Sequence, residues 1–442
     1  MDILIKNCIV LPMDGREGDK YFEGSIGVRG SRIAFVADRA GSEEACAAFI
    51  SGSDGAMKVI DGRGKLAMPG LVNIHGHVSM TLMRGYADDI PLMSWLNDHI
   101  WPFEAGMTGD DVRAGAELGI VEMLLGGTTT FVDMYWQEIE VAEAVKSSGI
   151  RAMLSPTFTD TRWDDFVRDF EAVYGAYGSG QHPRIGVQIA PHSVYSCSRE
   201  HLLEARRLAD SHGLRMTTHV SETLDEQHTM RQRVGKTPAE YLHELGMLDE
   251  RMLAVHCVHV SESDMRLFAE NGVSVAYNPH SNMKISSGIA PIARMLEMGI
   301  NVGIGTDGSS SNNDLDMWEE TRTGSFLQKV ATLDPLVMPA YQALEMATVN
   351  GARALGMEDR IGRLKEGMLA DIAILDIEKP HLYPHTDLIA NLVYCAKCSD
   401  VDTVIVDGRI VAEAGTVPGI DMERTYERVS LAVKRIRDKT GS

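Results

Sequence analysis

The sequence lacks any uninterrupted apolar run approaching the ~20 residues that a membrane-spanning helix requires. It also lacks a basic segment followed by an apolar one at its start, so a signal peptide is not expected. Only six of the 442 residues are cysteines, and they are scattered along the chain. This usage favours reduced thiols over a disulfide framework. We therefore expect a cytoplasmic protein that has no membrane partner.

Positive charge is also scarce. The chain has 42 lysine and arginine residues against 63 acidic ones, which gives a net charge of −21. The negative electrostatic field of such a chain repels nucleic-acid phosphates, so no nucleic-acid partner is expected. Cys395 and Cys398 form a single C-x-x-C with no second pair. Ordinary packed thiols explain this pair better than a zinc or redox site does.

Short apolar runs alternate with longer segments of helical period through the middle of the chain. The helical segments include 110–125, 199–212 and 261–271, and Ser198 and Ser261 are suitable N-caps for the last two. Eight strand–helix units indicate an α/β fold of the (β/α)8 TIM-barrel type. The eight predicted strands are 71–77, 128–134, 152–156, 185–192, 215–220, 253–256, 273–278 and 302–307.

The two ends of the chain have a different texture, with short alternating strands and Gly/Asp turns. We expect them to form one small β-sandwich built from both termini. The predicted domains are therefore a first sandwich part at 1–67, a catalytic barrel at 68–364, a second sandwich part at 365–422 and a C-terminal helix at 423–442.

Five polar residues end predicted strands of the barrel, namely His75, His77, His219, His256 and Asp307. His75 and His77 are two residues apart, so on a strand their imidazoles point the same way. Imidazole and carboxylate groups suit Zn²⁺ in an open catalytic site. A single histidine of this kind is more often a satisfied core residue. The five together predict a metal centre, because catalytic groups in a barrel come from the C-terminal ends of different strands.

Several motifs resemble those of the amidohydrolase superfamily. Within it they are most similar to the methylthioadenosine/S-adenosylhomocysteine deaminase group, which is related to the triazine hydrolases, and the resemblance covers about 3–409. The motifs are PGLVNIHGH at 69–77, THVSE at 218–222, HCVH at 256–259, NPHSN at 278–282 and GTDG at 305–308.

The resemblance implies one divalent metal ion per chain, Zn²⁺ or alternatively Fe²⁺. Its ligands would be His75, His77, His219 and Asp307. Members with two metals use a modified lysine or a glutamate on strand four, and the run 185–192 has neither. The resemblance also suggests a homo-oligomer.

Three residues are implied to be catalytic. His256 would orient or polarise the attacking water, and Asp307 would accept a proton from it. Glu222 would pass a proton to a ring nitrogen of the substrate and contact that ring. The alternative for Glu222 alone is a carboxylate favoured by a helix N-terminus, but its position three residues after His219 favours the proton-transfer role.

The substrate residues rest on the resemblance only. Glu104 and His192 match residues that hold the ribose hydroxyls, and Trp95 matches a tryptophan near the 5′ substituent. Arg162 falls near an arginine that binds the homocysteine carboxylate in some members. A second such arginine is replaced here by Pro156, which favours methylthioadenosine over S-adenosylhomocysteine.

The expected activity is hydrolytic deamination of methylthioadenosine, S-adenosylhomocysteine or related nucleosides such as adenosine and 5′-deoxyadenosine. The enzyme would be a hydrolase acting on non-peptide carbon–nitrogen bonds of cyclic amidines. One alternative is removal of chloride, thiomethyl or amino groups from a triazine-like ring. Another is a non-catalytic binding barrel, which the retention of all six metal-site and acid residues disfavours.

Overall fold

The computed structural model describes residues 1–16, 18–53 and 55–440. Within these residues no helix combines the length and the apolar character needed to cross a membrane. The strands in chain order are β1 (Asp2–Val10), β2 (Phe22–Arg29), β3 (Arg32–Asp38), β4 (Met57–Asp61), β5 (Lys65–Pro69), β6 (Leu71–Asn73), β7 (Thr128–Tyr135), β8 (Arg151–Phe158), β9 (Ile185–Val187), β10 (Ala190–Pro191), β11 (Met216–Val220), β12 (Met252–His256), β13 (Ser274–Tyr277), β14 (Asn301–Ile304), β15 (Ile372–Asp376), β16 (Val401–Val406) and β17 (Arg409–Glu413).

Helices fill most of the connections between strands. Short 3₁₀ turns occur at Val78–Met83, Asp160–Arg162, Gly178–Gly180, Pro380–Leu382 and Cys398–Asp400, and Trp95–Ile100 is a π-helix. The α-helices are α1 (Ser42–Ser51), α2 (Leu92–Ser94), α3 (Trp101–Ala105), α4 (Gly109–Leu125), α5 (Glu138–Ser148), α6 (Trp163–Tyr177), α7 (Arg199–His212), α8 (Leu224–Val234), α9 (Pro238–Glu244), α10 (Glu262–Asn271), α11 (Pro279–Lys284), α12 (Ile292–Glu297), α13 (Met317–Thr332), α14 (Ala340–Met346), α15 (Val349–Ala354), α16 (Leu388–Cys395) and α17 (Met422–Thr440).

Strands from both ends of the chain share one sheet of eight strands, in the order β17-β16-β15-β5-β1-β2-β3 with β4 paired to β1. β5 and β15 join the two ends, with Ala67 opposite Ile374 in an antiparallel pair. β-branched residues such as Ile3 and Ile5 fit a pleated strand and are fully buried here.

The central strands form two parallel sheets, one of β6 to β10 and one of β11 to β14. The sheets meet at two junctions. At one, Thr217 donates its backbone N–H to Ile189 at 3.0 Å, and at the other Ile74 donates to Ile304 at 3.0 Å. The parallel strands therefore follow one another around a ring, and their C-terminal ends open on the same side.

Several predicted strands are shorter in the structure, and two of them have a clear local cause. The predicted strand 71–77 ends at Asn73, because the Asn73 side-chain oxygen accepts the backbone N–H groups of His75 at 3.4 Å and Thr306 at 3.1 Å. The predicted strand 185–192 divides into β9 and β10. Both β9 and β10 pair with β8, and Ile189 between them bridges to Met216 on the other sheet.

The C-terminal helix α17 packs on α4. Ala432 and Ile436 of α17 are buried, and Arg428 donates to Glu117 of α4 at 2.7 Å. α1 was not predicted, although its Phe49 is buried beside β2 and β3.

Candidate metal and active site

Four candidate ligands converge at the C-terminal ends of β6, β11 and β14. Nε2 of His75 lies 3.4 Å from Oδ1 of Asp307, and Nε2 of His77 lies 3.2 Å from the same oxygen. The His219 ring is 5.1 Å from that of His75 and 5.5 Å from that of His77, between ring centroids. Ligands placed 2.0–2.1 Å from a tetrahedral Zn²⁺ are about 3.3–3.4 Å apart, so these separations fit a shared ion.

The hydrogen bonding of the histidines fits the same interpretation. Nδ1 of His77 lies 2.6 Å from the backbone oxygen of Met134, which directs the Nε2 lone pair to the centre. His75 is completely buried, yet neither of its ring nitrogens has a hydrogen-bond partner among the described residues. A buried unpaired imidazole is costly, and coordination of a metal would satisfy it.

The protonation states also suit ligation. Burial lowers the pKa of His75 to about 4 and that of His219 well below its usual value, so both are neutral at pH 7. Burial opposes protonation of His77 as well, but the Asp307 carboxylate overrides it and raises the His77 pKa to about 9. Despite its burial, Asp307 has a pKa held well below the usual range by His75 and His77. A metal cation bound to Nε2 of His77 would replace the proton on that nitrogen.

His256 lies beside the four candidate ligands, and its ring is held by a hydrogen bond on the Nδ1 side. Its Nδ1 is 2.9 Å from Oδ1 of Asn282, and donation of the Nδ1 proton to that oxygen leaves a lone pair on Nε2. Nε2 is 3.7 Å from Oε1 of Glu222 and 3.9 Å from Oδ2 of Asp307. His256 therefore faces the carboxylates at the centre and not the solvent.

Backbone strain coincides with these residues. His256 and Asp307 have φ values of 69° and 60°, and Ser221, next to Glu222, has a φ of 53°. Left-handed backbone is uncommon for residues other than glycine, and such strain concentrates at functional sites.

Two serine hydroxyls hold the second oxygen of Asp307. Ser281 donates to Oδ2 at 2.6 Å and Ser311 donates to it at 3.2 Å. Sequence analysis missed both serines, because neither Ser281, within the motif at 278–282, nor Ser311, after β14, carries a signal of the carboxylate that it contacts. Asn282 supports His256, whereas the buried Ser309 hydroxyl has no hydrogen-bond partner among the described residues.

Glu222 is the remaining acid of the set. Its side chain is only 11% exposed, and burial raises the pKa of its carboxyl group. Its backbone N–H donates to Glu226 at 2.8 Å, and no donor to the Glu222 carboxylate is found among the described residues. The carboxyl group is therefore suited to carry a proton.

A cavity of about 430 Å³ opens above these residues. Its wall contains the predicted substrate residues Glu104, Trp95, His192 and Arg162 together with His77, His219, Glu222, His256 and Asp307. His75 lies beneath it. The structure thus brings every residue predicted for the site to one place.

Glu104 lies in the wall of the cavity and is almost fully buried. The Tyr135 hydroxyl donates to its Oε1 at 2.7 Å, an interaction that sequence analysis missed. Burial raises the pKa of Glu104, although Tyr135 and Arg162 oppose this. The carboxylate retains an oxygen that can accept from a ligand.

Arg162 and Trp95 mark the outer part of the cavity. The Arg162 guanidinium lies 4.7 Å from the ring centroid of Trp136. A neighbouring cleft of about 440 Å³ also has Arg162 in its wall, together with Arg168. Trp95 begins the π-helix Trp95–Ile100 and is buried. His192 lies 4.9 Å from His219 between ring centroids, and burial lowers its pKa to about 4.

Comparison with known proteins gives consistent results. The Amidohydrolase family matches residues 66–411. A 5-methylthioadenosine/S-adenosylhomocysteine deaminase of Desulforamulus reducens is 47% identical over 396 residues, 88% of this chain and 90% of the relative.

Two solved structures are also similar. One is an adenosine deaminase from Xanthomonas campestris with bound zinc, at a TM-score of 0.92, 32% identity and 99% coverage of both chains. The other is an atrazine chlorohydrolase from Arthrobacter aurescens complexed with zinc, at a TM-score of 0.87 and 25% identity, covering 98% of this chain and 100% of that one.

Proposed function

Because the chain belongs to the amidohydrolase family, we propose that it is a metal-dependent aminohydrolase acting on adenosine-type nucleosides with a 5′ thioether. Its substrates would be 5′-methylthioadenosine and S-adenosylhomocysteine, and adenosine or 5′-deoxyadenosine would be slower alternatives. Water replaces the 6-amino group, giving the inosyl product and ammonia. The observation that supports this proposal is the shared cavity, whose wall includes Glu104 together with His77, His219, Glu222, His256 and Asp307.

His75, His77, His219 and Asp307 would hold one divalent ion per chain, Zn²⁺ or Fe²⁺. Such an ion acts as a Lewis acid and lowers the pKa of a water molecule toward 7. Zinc in two similar structures supports the choice of Zn²⁺. The near-tetrahedral spacing of the His75 and His77 nitrogens from Asp307 supports it as well.

The proton transfers would belong to Asp307, His256 and Glu222. Asp307 accepts a proton from the attacking water on Oδ2, the oxygen that Ser281 and Ser311 hold in place. His256, held by Asn282, orients the water from its Nε2 side. Glu222 donates its proton to the adjacent ring nitrogen of the purine. Asp307 then passes the water proton to the amino group while Glu222 takes the proton of the new hydroxyl, so that ammonia leaves and both carboxyl groups return to their starting states.

The sugar end of the cavity would give the nucleoside specificity. Glu104 and His192 would bind the ribose hydroxyls, and a buried carboxylate that needs such a partner rejects ligands lacking it. The apolar face of Trp95 would contact the 5′-methylthio group. Arg162 would be the one residue available to a homocysteine carboxylate, because Pro156 occupies the second position. Methylthioadenosine should therefore be preferred.

A substrate screen with metal analysis tests this function. Ammonia release would be measured for methylthioadenosine, S-adenosylhomocysteine, adenosine, free adenine and an aminotriazine, using one enzyme preparation whose metal content is known. We expect the highest kcat/KM for methylthioadenosine and a poor rate for free adenine. Efficient turnover of the triazine together with no inosyl product from any nucleoside would reverse the assignment in favour of a triazine hydrolase.

Three broader properties belong to the same proposal. We interpret the ring of parallel strands as a (β/α)8 barrel and the sheet from both termini as its accompanying β-sandwich. The six free thiols favour a cytoplasmic location. An exposed apolar stripe of Phe326, Val330 and Leu333 on and just after α13 favours a homo-oligomer.

A further inference from the structure

A second cavity of about 330 Å³ lies at the opposite end of the parallel strands from the candidate active site. Its wall includes the first residues of β8 and β9, whereas the active-site cavity reaches the last residues of β7 and β8. Three arginines, Arg151, Arg184 and Arg360, line this second cavity. No aspartate or glutamate of the described residues is part of its wall.

Arg151 is fully paired. It donates to the two oxygens of Asp371 at 2.7 and 3.0 Å and to the backbone oxygen of Pro183 at 2.7 Å. Asp371 also accepts the backbone N–H of Asp407 at 2.8 Å. The Asp371 carboxylate is thus occupied by Arg151 and by backbone.

Arg184 and Arg360 are not paired in this way. Arg184 is only 8% exposed, and its Nε has no hydrogen-bond partner among the described residues. No hydrogen bond or ion pair within 4 Å joins the guanidinium of Arg184 or Arg360 to any described residue. For the buried Arg184 the lack of a partner is unfavourable, because its lost hydration is not replaced, whereas Arg360 is exposed.

The surrounding charges add to this effect. Burial lowers the pKa of Arg184, and the neighbouring Arg409 and Arg151 lower it further although Asp407 opposes them. Burial together with Arg151 and Arg32 similarly lowers the pKa of Arg360. A local excess of positive charge is notable in a chain whose net charge is −21.

We propose that this second cavity binds a phosphate group, with Arg184 and Arg360 as its charged ligands. Two unpaired guanidinium groups match a dianion, and the arginine fork forms paired hydrogen bonds to phosphate oxygens. A water molecule takes up about 30 Å³, so the cavity has room for about ten of them. This is more space than one phosphate needs. It therefore accommodates either inorganic phosphate with waters or the organic part of a small phosphate monoester. This inference is independent of the proposed deaminase activity.

Calorimetric titration with inorganic phosphate tests the site, with ionic strength held constant by sodium chloride. We expect saturable binding of one phosphate per chain. Arg184→Gln should weaken it about 10- to 100-fold, because hydrogen bonds to a charged group are lost. Arg360→Gln changes an exposed residue, so this variant should fold even if the buried substitution does not, and it should also weaken binding.

Arg294→Gln is the matched control, since it removes an exposed arginine that pairs with Glu262 on another face. It should leave phosphate binding unchanged. A parallel titration with glycerol 3-phosphate separates the two sources of the anion, because tighter binding of the ester would identify an organic phosphate as the ligand. Absence of saturable binding would overturn the proposal. So would binding that survives both Arg184→Gln and Arg360→Gln, which would place the anion elsewhere, for example at the active-site metal.

Discussion

Replacement of Glu222 by glutamine is the sharpest test of the proposed chemistry. The substitution keeps the size of the side chain and removes only its ability to carry and release a proton. Glu222 lies outside the four candidate metal ligands, so metal content should remain near one ion per chain. A positioned acid or base contributes about 10²–10⁴-fold to rate. We therefore expect kcat for methylthioadenosine to fall by that factor, an increase in barrier of about 2.7–5.4 kcal/mol.

The pH dependence gives a second measurement on the same variant. Burial raises the pKa of Glu222, so its protonated form persists to higher pH than that of an exposed glutamate. As pH rises through this raised pKa the proton is lost, and kcat should fall on the alkaline side. Glu222→Gln has no such proton, and its residual activity should lack that decline.

Glu117→Gln is a suitable control. Glu117 is also buried, but it lies on α4, pairs with Arg428 and does not line the active-site cavity. This variant should lose some stability and retain its kcat. The reasoning would be refuted if Glu222→Gln lost its metal while the remaining metal-loaded enzyme turned over normally, since Glu222 would then be a ligand or a structural residue.

Four further outcomes are expected. His219→Ala should lower metal content and activity together, and full metal occupancy with normal turnover, measured on one sample, would contradict its role. Metal affinity, followed by competition with a chelator, should increase as pH rises toward 9, because the metal displaces a proton from His77 whose pKa is about 9. Glu104→Ala should reduce kcat/KM for methylthioadenosine by about 10- to 100-fold through KM, and an unchanged KM would exclude ribose binding by this residue. Asp371→Asn breaks a buried pair with Arg151 and should lower the free energy of unfolding by about 3–5 kcal/mol in urea titrations.

Strand positions in the middle of the chain could be predicted well from sequence. Runs of β-branched and apolar residues identified β7, β11 and β12 to within one or two residues, because such side chains favour strands. The break between β9 and β10 could not be predicted. Both parts pair with β8 in one register, and the interruption coincides with the bridge from Ile189 to Met216 of β11, which no local pattern encodes.

The candidate site divides in the same way. His75, His77, His219 and Asp307 could be predicted to meet, because each lies near the end of a predicted strand and in a barrel those ends share one side. Their assignment as metal ligands stays a prediction. Ser281, Tyr135 and Asn282 could not be assigned their contacts, since these depend on loop paths and side-chain directions. Tyr135 reaches Glu104 from 31 positions away in the chain, and Ser281 reaches Asp307 from 26.

The pairing of β5 with β15 has a consequence for synthesis of the chain. Ala67 of β5 lies opposite Ile374 of β15, so β5 leaves the ribosome long before β15 has been synthesised. At 5–20 residues per second the delay is roughly 15–60 s. During this interval the edge of β5 is unpaired beside the apolar strand β1, and such edges readily join other chains. Newly made protein should therefore depend on chaperones, and truncation before β15 should cause aggregation and not merely a loss of activity.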